Sequence, residues 1–152
     1  MKYKRQLTVI IVLIVLFLAW YISTYKYQLT LIQGESMQPT FSNMSLVIIN
    51  KYTNSFKNDD VIVFKNDKDV LVKRLVAIPG DKIVISDGQL FVNDLKVNSF
   101  ESIEYAGNAS DEIILKDNEY FVLGDNVNNS KDSRYDDVGI VHRKDIIGKI
   151  IM

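Results

Sequence analysis

The sequence predicts a mostly β domain carried on a single amino-terminal transmembrane helix. Three observations predict it: an uncharged, largely apolar run over residues 6–25, a series of short β-rich runs after it, and turn residues between those runs. A chain of 152 residues suits one domain of ordinary size. A formal net charge of -1 offers no basic surface, so nucleic acid is not an expected partner. With no cysteine there is neither a disulfide framework nor a thiol nucleophile.

The amino-terminal run comes first. Residues 7–22 are almost wholly apolar, and about 20 residues cross a hydrocarbon core as a helix. Trp20, Tyr21 and Tyr25 sit where an aromatic interface belt belongs. Lys2, Lys4 and Arg5 precede the run, while only Lys26 follows closely. The positive-inside bias therefore puts residues 1–5 in the cytoplasm, 6–25 in the lipid bilayer and 26–152 outside the cell membrane. The competing reading is a cleaved secretory signal peptide. Its charged start fits, but the apolar run is long, and Trp20-Tyr21-Ile22-Ser23-Thr24-Tyr25 holds no small-x-small cleavage site.

Beyond the anchor, strands are predicted over residues 29–33, 46–50, 61–65, 70–78, 82–86, 89–92, 112–115, 120–123 and 146–151. Asp87-Gly88 is a two-residue hairpin signal, and Pro79-Gly80-Asp81 is another turn. No helical periodicity outside the anchor is long enough to count, and no internal repeat is visible. Residues 87–116 are more polar and less regular. They read as a small insertion on the main sheet, because they hold too little apolar surface for a core of their own.

Four polar features could carry chemistry. The first is Gly34-Glu35-Ser36-Met37-Gln38-Pro39-Thr40-Phe41, directly after an apolar strand. Gly34 tolerates backbone conformations that other residues avoid, and Pro39 biases Gln38 toward extended geometry. A tight turn after a strand holds a hydroxyl at a fixed angle; an ordinary surface turn has similar composition. The second is Lys73, in the run from Val70 to Ile78. Alternation puts Lys73 on the face of Leu71, Leu75 and Ala77, and Arg74 on the other face with Val72 and Val76. A lysine on an apolar face is desolvated, which lowers its pKa; a lysine that snorkels to water at a sheet edge is the alternative. Moving a lysine from about 10.4 to 7–8 takes roughly 3–4 kcal/mol of differential interaction, and a neutral lysine can then serve a serine as general base. The Ser-Lys dyad is a known variant of the triad logic.

The third feature is the loop Gly124-Asp125-Asn126-Val127-Asn128-Asn129-Ser130-Lys131-Asp132-Ser133-Arg134-Tyr135. Ser130 offers a hydroxyl, and Asp132 with Arg134 offers a charge pair; a solvated loop is the plain alternative. A calcium loop fits poorly, since the third position is Val127 and the sixth is Ser130 rather than glycine. The fourth is His142, the single histidine, set in a charged segment that reads as exposed. One histidine and no cysteine speak against a zinc site, and no metal or organic cofactor is implied.

Taken in order behind an anchor, these stretches resemble the type I bacterial signal peptidases, particularly the small Gram-positive kind. Gly34 to Thr40 resembles the family's nucleophile box and Asp60-Val61-Ile62-Val63-Phe64 the strand lining its cleft. Lys73-Arg74 with Pro79-Gly80-Asp81 resembles its lysine box. Gly124-Asp125-Asn126, Asn129-Ser130 and Asp132-Ser133-Arg134 resemble its last box, and Gly148-Lys149 its usual ending. The resemblance implies a coiled antiparallel β-sheet domain and a serine endopeptidase that removes signal peptides from exported preproteins. It implies that Ser36 is the nucleophile, that Lys73 is the base and that the Ser130 hydroxyl hydrogen-bonds and orients Lys73. Asp132 and Arg134 brace the site, with Arg74 on the far side of the lysine strand. The Ser36 amide contributes to the oxyanion hole, and Ile32, Met37, Val63 and Val72 shape two shallow pockets for the small residues of an Ala-x-Ala cleavage rule.

Three departures stand out. Gly34 occupies a position where some relatives carry a hydroxyl for the oxyanion hole. Asp59 replaces a glycine that often precedes Asp60. Val127 replaces a common arginine and so removes one partner for Asp125. None of these touches Ser36, Lys73 or Ser130, so an active enzyme is expected. Two rivals stay open: a related Ser-Lys autoprotease of the self-cleaving repressor kind, which needs a DNA-binding domain, and a non-catalytic membrane-anchored peptide-binding module.

Overall fold

The computed structural model describes residues 2–67, 69–100 and 102–151. Helix α1, Lys2–Lys26, covers the expected span and extends it at both ends. Its flanking lysine and arginine residues are good helix formers, so the helix does not stop where the charge begins. Its apolar side chains are exposed on every side, and the helix is long and apolar enough to cross a membrane. At 1.5 Å per residue it is about 37 Å long. A helix apolar all round and unpacked against protein matches a membrane span rather than a core helix.

Strand β1 (Tyr27–Leu31) follows α1 directly, and the Lys51 N–H donates to the Lys26 carbonyl at 2.9 Å, tying the helix end to the sheet. The remaining strands are β2 (Leu46–Asn50), β3 (Val61–Lys65), β4 (Val70–Ala77), β5 (Lys82–Ser86), β6 (Gln89–Val92), β7 (Leu95–Lys96), β8 (Ile113–Ile114), β9 (Glu119–Leu123), β10 (Val141–His142) and β11 (Ile146–Ile150). One sheet runs β1-β2-β11-β3-β4-β9-β10 and a smaller one β7-β6-β5-β8. Every pairing is antiparallel. Bulges interrupt the register between Leu75 and Ala77 and between Ile146 and Gly148, and bulges bend and twist a sheet.

Three apolar clusters hold the sheets together. Ile32, Met37, Val47, Ile49, Val61, Val63 and Ile150 form one, with Phe41 and Val72 packed against it. Ile62, Phe64, Leu75, Tyr120 and Val122 belong to the second, which Leu71 joins. The third couples Ile83, Ile85, Leu90 and Val92 of the small sheet to Phe121, Leu123 and Val127. The small sheet therefore buries its apolar face against the large one. Ala77 corrects the expected alternation: it packs with Val76 in the third cluster, not with Leu71 and Leu75 in the second. The bulge before it breaks the period of two. On the outer face of the β1–β2 hairpin, Tyr27, Leu29, Leu31, Leu46 and Ile48 are exposed, with Leu29 opposite Ile48 and Leu31 opposite Leu46.

Candidate active site

Ser36 sits in a turn fixed at both ends. Gly34 has φ +96°, in the left-handed region that favours glycine, and its N–H donates to Asn43 Oδ1 at 3.0 Å. The Gln38 N–H donates to the Glu35 carbonyl at 3.1 Å, the Phe41 N–H donates to the Met37 carbonyl at 2.8 Å, and the Gln38–Pro39 peptide is cis. Met37, 1 % exposed, sinks into the cluster with Ile32 and Val63. Anchoring Met37 inward leaves the adjacent Ser36 only half-buried.

Strand β4 brings Lys73 to this turn. Lys73 lies opposite Ile62 on β3 and is 4 % exposed. Its Nζ is 2.8 Å from Ser36 Oγ and 3.0 Å from the Val72 carbonyl oxygen. Burial pushes its pKa below the ordinary 10.5, while the negative charges of Asp132 and Asp125 oppose the shift. Burial is the larger effect, as expected for an ammonium taken out of water. In its neutral form the amine has one lone pair and two N–H groups. The lone pair can accept the Ser36 hydroxyl proton while an N–H stays on the Val72 carbonyl. Strand β4 thus sets the amine of a buried lysine beside a serine hydroxyl.

The loop after β9 closes the site from behind. Asp132 and Arg134 are 0 % and 1 % exposed. The guanidinium grips the carboxylate with two donors, Nε to Oδ1 at 2.8 Å and Nη2 to Oδ2 at 2.9 Å. Arg134 also donates to the Val127, Ser130 and Tyr105 carbonyls at 2.5, 3.3 and 3.0 Å. Asp132 Oδ2 accepts the Gly124 N–H at 3.0 Å. Gly124 has no spare room: a Cβ there would overlap the Ser130 side chain and the Ser36 carbonyl. One buried ion pair thus fixes the loop that touches the nucleophile turn.

Ser130 requires a correction. Its hydroxyl was expected on Lys73, yet Ser130 Oγ is buried with no hydrogen-bond partner. The Lys73 amine instead uses Ser36 Oγ and the carbonyl of its own neighbour, Val72. Ser130 is still adjacent to the site, against Gly124.

Arg74 points away from Lys73 and grips Asp125 with Nε and Nη2, both at 2.7 Å. It reaches the Asp59 carbonyl at 2.8 Å and Thr40 Oγ1 at 3.3 Å as well. Asp125 holds the guanidinium pKa above its ordinary value. The sequence reading missed Asp125 as the Arg74 partner. The available signal was a charged strand residue facing inward, which needs a carboxylate from elsewhere in the chain. Asp59 has φ +73°, in the left-handed region, and its carbonyl accepts from Arg74. Val127 is buried in the third cluster, so no charge is called for there.

The four expected pocket residues are together: Ile32, Met37 and Val63 are core members of one cluster and Val72 packs on it. Only Val72 of the four presents appreciable surface. His142 is exposed on β10, in a groove lined by Phe64, Asn66, Asp136 and Lys144 that contains neither Ser36 nor Lys73. Among the described residues no group of three or more His, Asp or Glu side chains could hold a metal ion.

An antiparallel sheet behind an apolar helix sets a serine hydroxyl on a buried lysine, a pair chemically able to act as nucleophile and base. The chain belongs to the signal peptidase family, peptidase S26, whose model matches residues 5–152. It is 36 % identical to signal peptidase I P of Bacillus subtilis subsp. natto, over 97 % of this chain and 90 % of that one. It is also 30 % identical to an inactive signal peptidase IA of Staphylococcus aureus, over 98 % of this chain and 88 % of the relative. In fold it is similar to the crystal structure of a signal peptidase I from Enterococcus faecalis. That likeness has a TM-score of 0.50 at 23 % identity, over 65 % of this chain and 98 % of the other.

Proposed function

We propose that this chain is a membrane-anchored serine endopeptidase that removes amino-terminal signal peptides from exported preproteins. The observation that carries this reading is the 2.8 Å separation of Lys73 Nζ and Ser36 Oγ, with the lysine buried enough to lower its pKa. An inactive relative makes membership of the family insufficient, so the reading rests on that pair.

Neutral Lys73 takes the Ser36 proton as Oγ attacks the scissile carbonyl. The Ser36 N–H meets the developing oxyanion, and Lys73 passes its proton to the leaving amine. An acyl-enzyme on Ser36 remains, and a water activated by Lys73 releases it. Asp132 with Arg134 holds the loop after β9, and Arg74 with Asp125 ties that loop to strand β4. Ile32, Met37, Val63 and Val72 border pockets that accept small residues, which is the content of an Ala-x-Ala rule. The substrate lies extended and pairs with the sheet backbone. The amino terminus is cytoplasmic and the β domain lies outside. The exposed apolar face of the β1–β2 hairpin, continuous with α1, keeps the site at the bilayer, where the substrate's own apolar segment raises local concentration.

Lowering of the Lys73 pKa sets the sign of a pH effect. Only the neutral amine is a base, so kcat/KM rises with pH through a midpoint below that of free lysine. Preprotein cleavage in phospholipid vesicles from neutral to alkaline pH measures this, with His142→Ala giving the same profile. A midpoint near a histidine value, lost in His142→Ala, contradicts the assignment. A wild-type chain that binds but never cuts any preprotein supports the peptide-binding module.

A further inference from the structure

We propose that Asn126 is a positioning residue for the oxyanion hole: its carboxamide holds and polarises the peptide whose N–H belongs to Ser36. The inference rests on the reading of Ser36 as nucleophile and goes beyond it in naming what aims the amide.

Asn126 grips the nucleophile turn twice. Its N–H donates to the Ser36 carbonyl at 3.0 Å, and its Nδ2 donates to the Glu35 carbonyl at 3.2 Å. The second bond joins residues 91 positions apart in the chain. The Glu35 oxygen also accepts the Gln38 N–H at 3.1 Å, so it is held from two directions. That oxygen belongs to the Glu35–Ser36 peptide. In a trans peptide the C=O and N–H point to opposite sides of one rigid plane. Fixing the Glu35 oxygen therefore fixes the direction of the Ser36 N–H.

The Ser36 N–H has no acceptor among the described residues, so it is free to meet an oxyanion. Hydrogen bonds to a carbonyl oxygen strengthen the donor at the other end of the same amide, by about 10–30 % per bond. Gly34 has no side chain with which to donate, and a Cβ there would meet nothing within 4 Å. More of the oxyanion stabilisation then falls on the one amide that Asn126 holds. The alternative is that the carboxamide only staples the loop beginning at Gly124 to the turn, with no effect on the Ser36 amide.

The test compares the full-length wild type with Asn126→Ala and with the near-isosteric Asn126→Asp, which keeps the backbone bond and loses the side-chain donor. Rates are read on the alkaline plateau, where Lys73 is neutral. Both variants are expected to lose kcat about tenfold with KM unchanged, less than the hundredfold or more of deleting a direct oxyanion donor. In Asn126→Ala the pH midpoint stays put, because Asn126 does not touch Lys73. A peptide aldehyde, which adds to Ser36 Oγ and places a tetrahedral oxygen in the hole, weakens by the same factor as kcat. Thermal melts check folding, and should Asn126→Ala melt early, Asn126→Asp carries the comparison. A wild-type kcat in both variants, a loss confined to KM, or an unchanged aldehyde affinity overturns the proposal. Ser36→Ala, run alongside, separates the two levels. Cleavage that survives in Ser36→Ala removes the reading of the site itself. A silent Ser36→Ala with fully active Asn126 variants removes only this inference.

Discussion

Replacing Lys73 with Met is expected to cut preprotein cleavage by at least about 10⁴-fold, since members of a catalytic unit fail together when one is removed. Methionine matches the length and apolar stem of lysine but has no basic nitrogen. The side chain stays in place opposite Ile62, and Ser36 loses the basic nitrogen 2.8 Å from its hydroxyl. A fold-based readout distinguishes this from simple unfolding. Because burial lowers the folded-state pKa of Lys73, the unfolded chain binds more protons at this group between that lowered value and 10.5. Its contribution therefore makes stability rise with pH across that window. In Lys73→Met this contribution disappears, so the variant melts no earlier than the wild type at neutral pH while its activity is gone. Melting curves of the β domain across that window check the slope. An early-melting Lys73→Met would mean that the lysine holds the structure rather than serving as a base.

Asp132→Ala is expected to be the most damaging change to stability. It leaves the Arg134 guanidinium, 1 % exposed, without its carboxylate. Breaking one side of such a pair costs about 3–5 kcal/mol, which for a domain of this size lowers the melting temperature by about 10–20 °C. The Gly124 N–H loses its acceptor as well, so the loop beside Ser36 and Ser130 loosens and activity falls with stability. Removing both charges together, as Asp132→Leu with Arg134→Met, is expected to recover part of the loss. Full recovery is not expected, because Arg134 also serves three backbone carbonyls. Thermal unfolding followed by near-ultraviolet circular dichroism measures both, and a double variant worse than Asp132→Ala would show that the pair is not the source of the stability.

Much of this molecule can be read without coordinates, and the parts that cannot share a cause. The anchor is legible because a run with no charge needs no partner to be recognised. Lys73 is legible because a strand has a period of two, which turns a sequence position into a face. The same rule fails at Ala77, where a bulge adds a residue to one strand. Strands β7 and β10 have two residues each, too few to show any period. The bonds that finish the site are long-range. Arg74 meets Asp125 across 51 positions and Asn126 meets Glu35 across 91. No local pattern encodes such pairings, and a polar loop reads the same whether it is solvated or clamped. Ser130 shows the opposite error: resemblance supplied a hydrogen bond to Lys73, and the Val72 carbonyl takes that place.

The measurement that tests the account most directly is cleavage of a preprotein by the full-length chain in phospholipid vesicles, with the new amino terminus sequenced, beside Ser36→Ala. The account predicts a single cut after a small-x-small sequence by the wild type and none by Ser36→Ala. A wild type that leaves every preprotein whole, or a Ser36→Ala that cuts at the same bond, would contradict it.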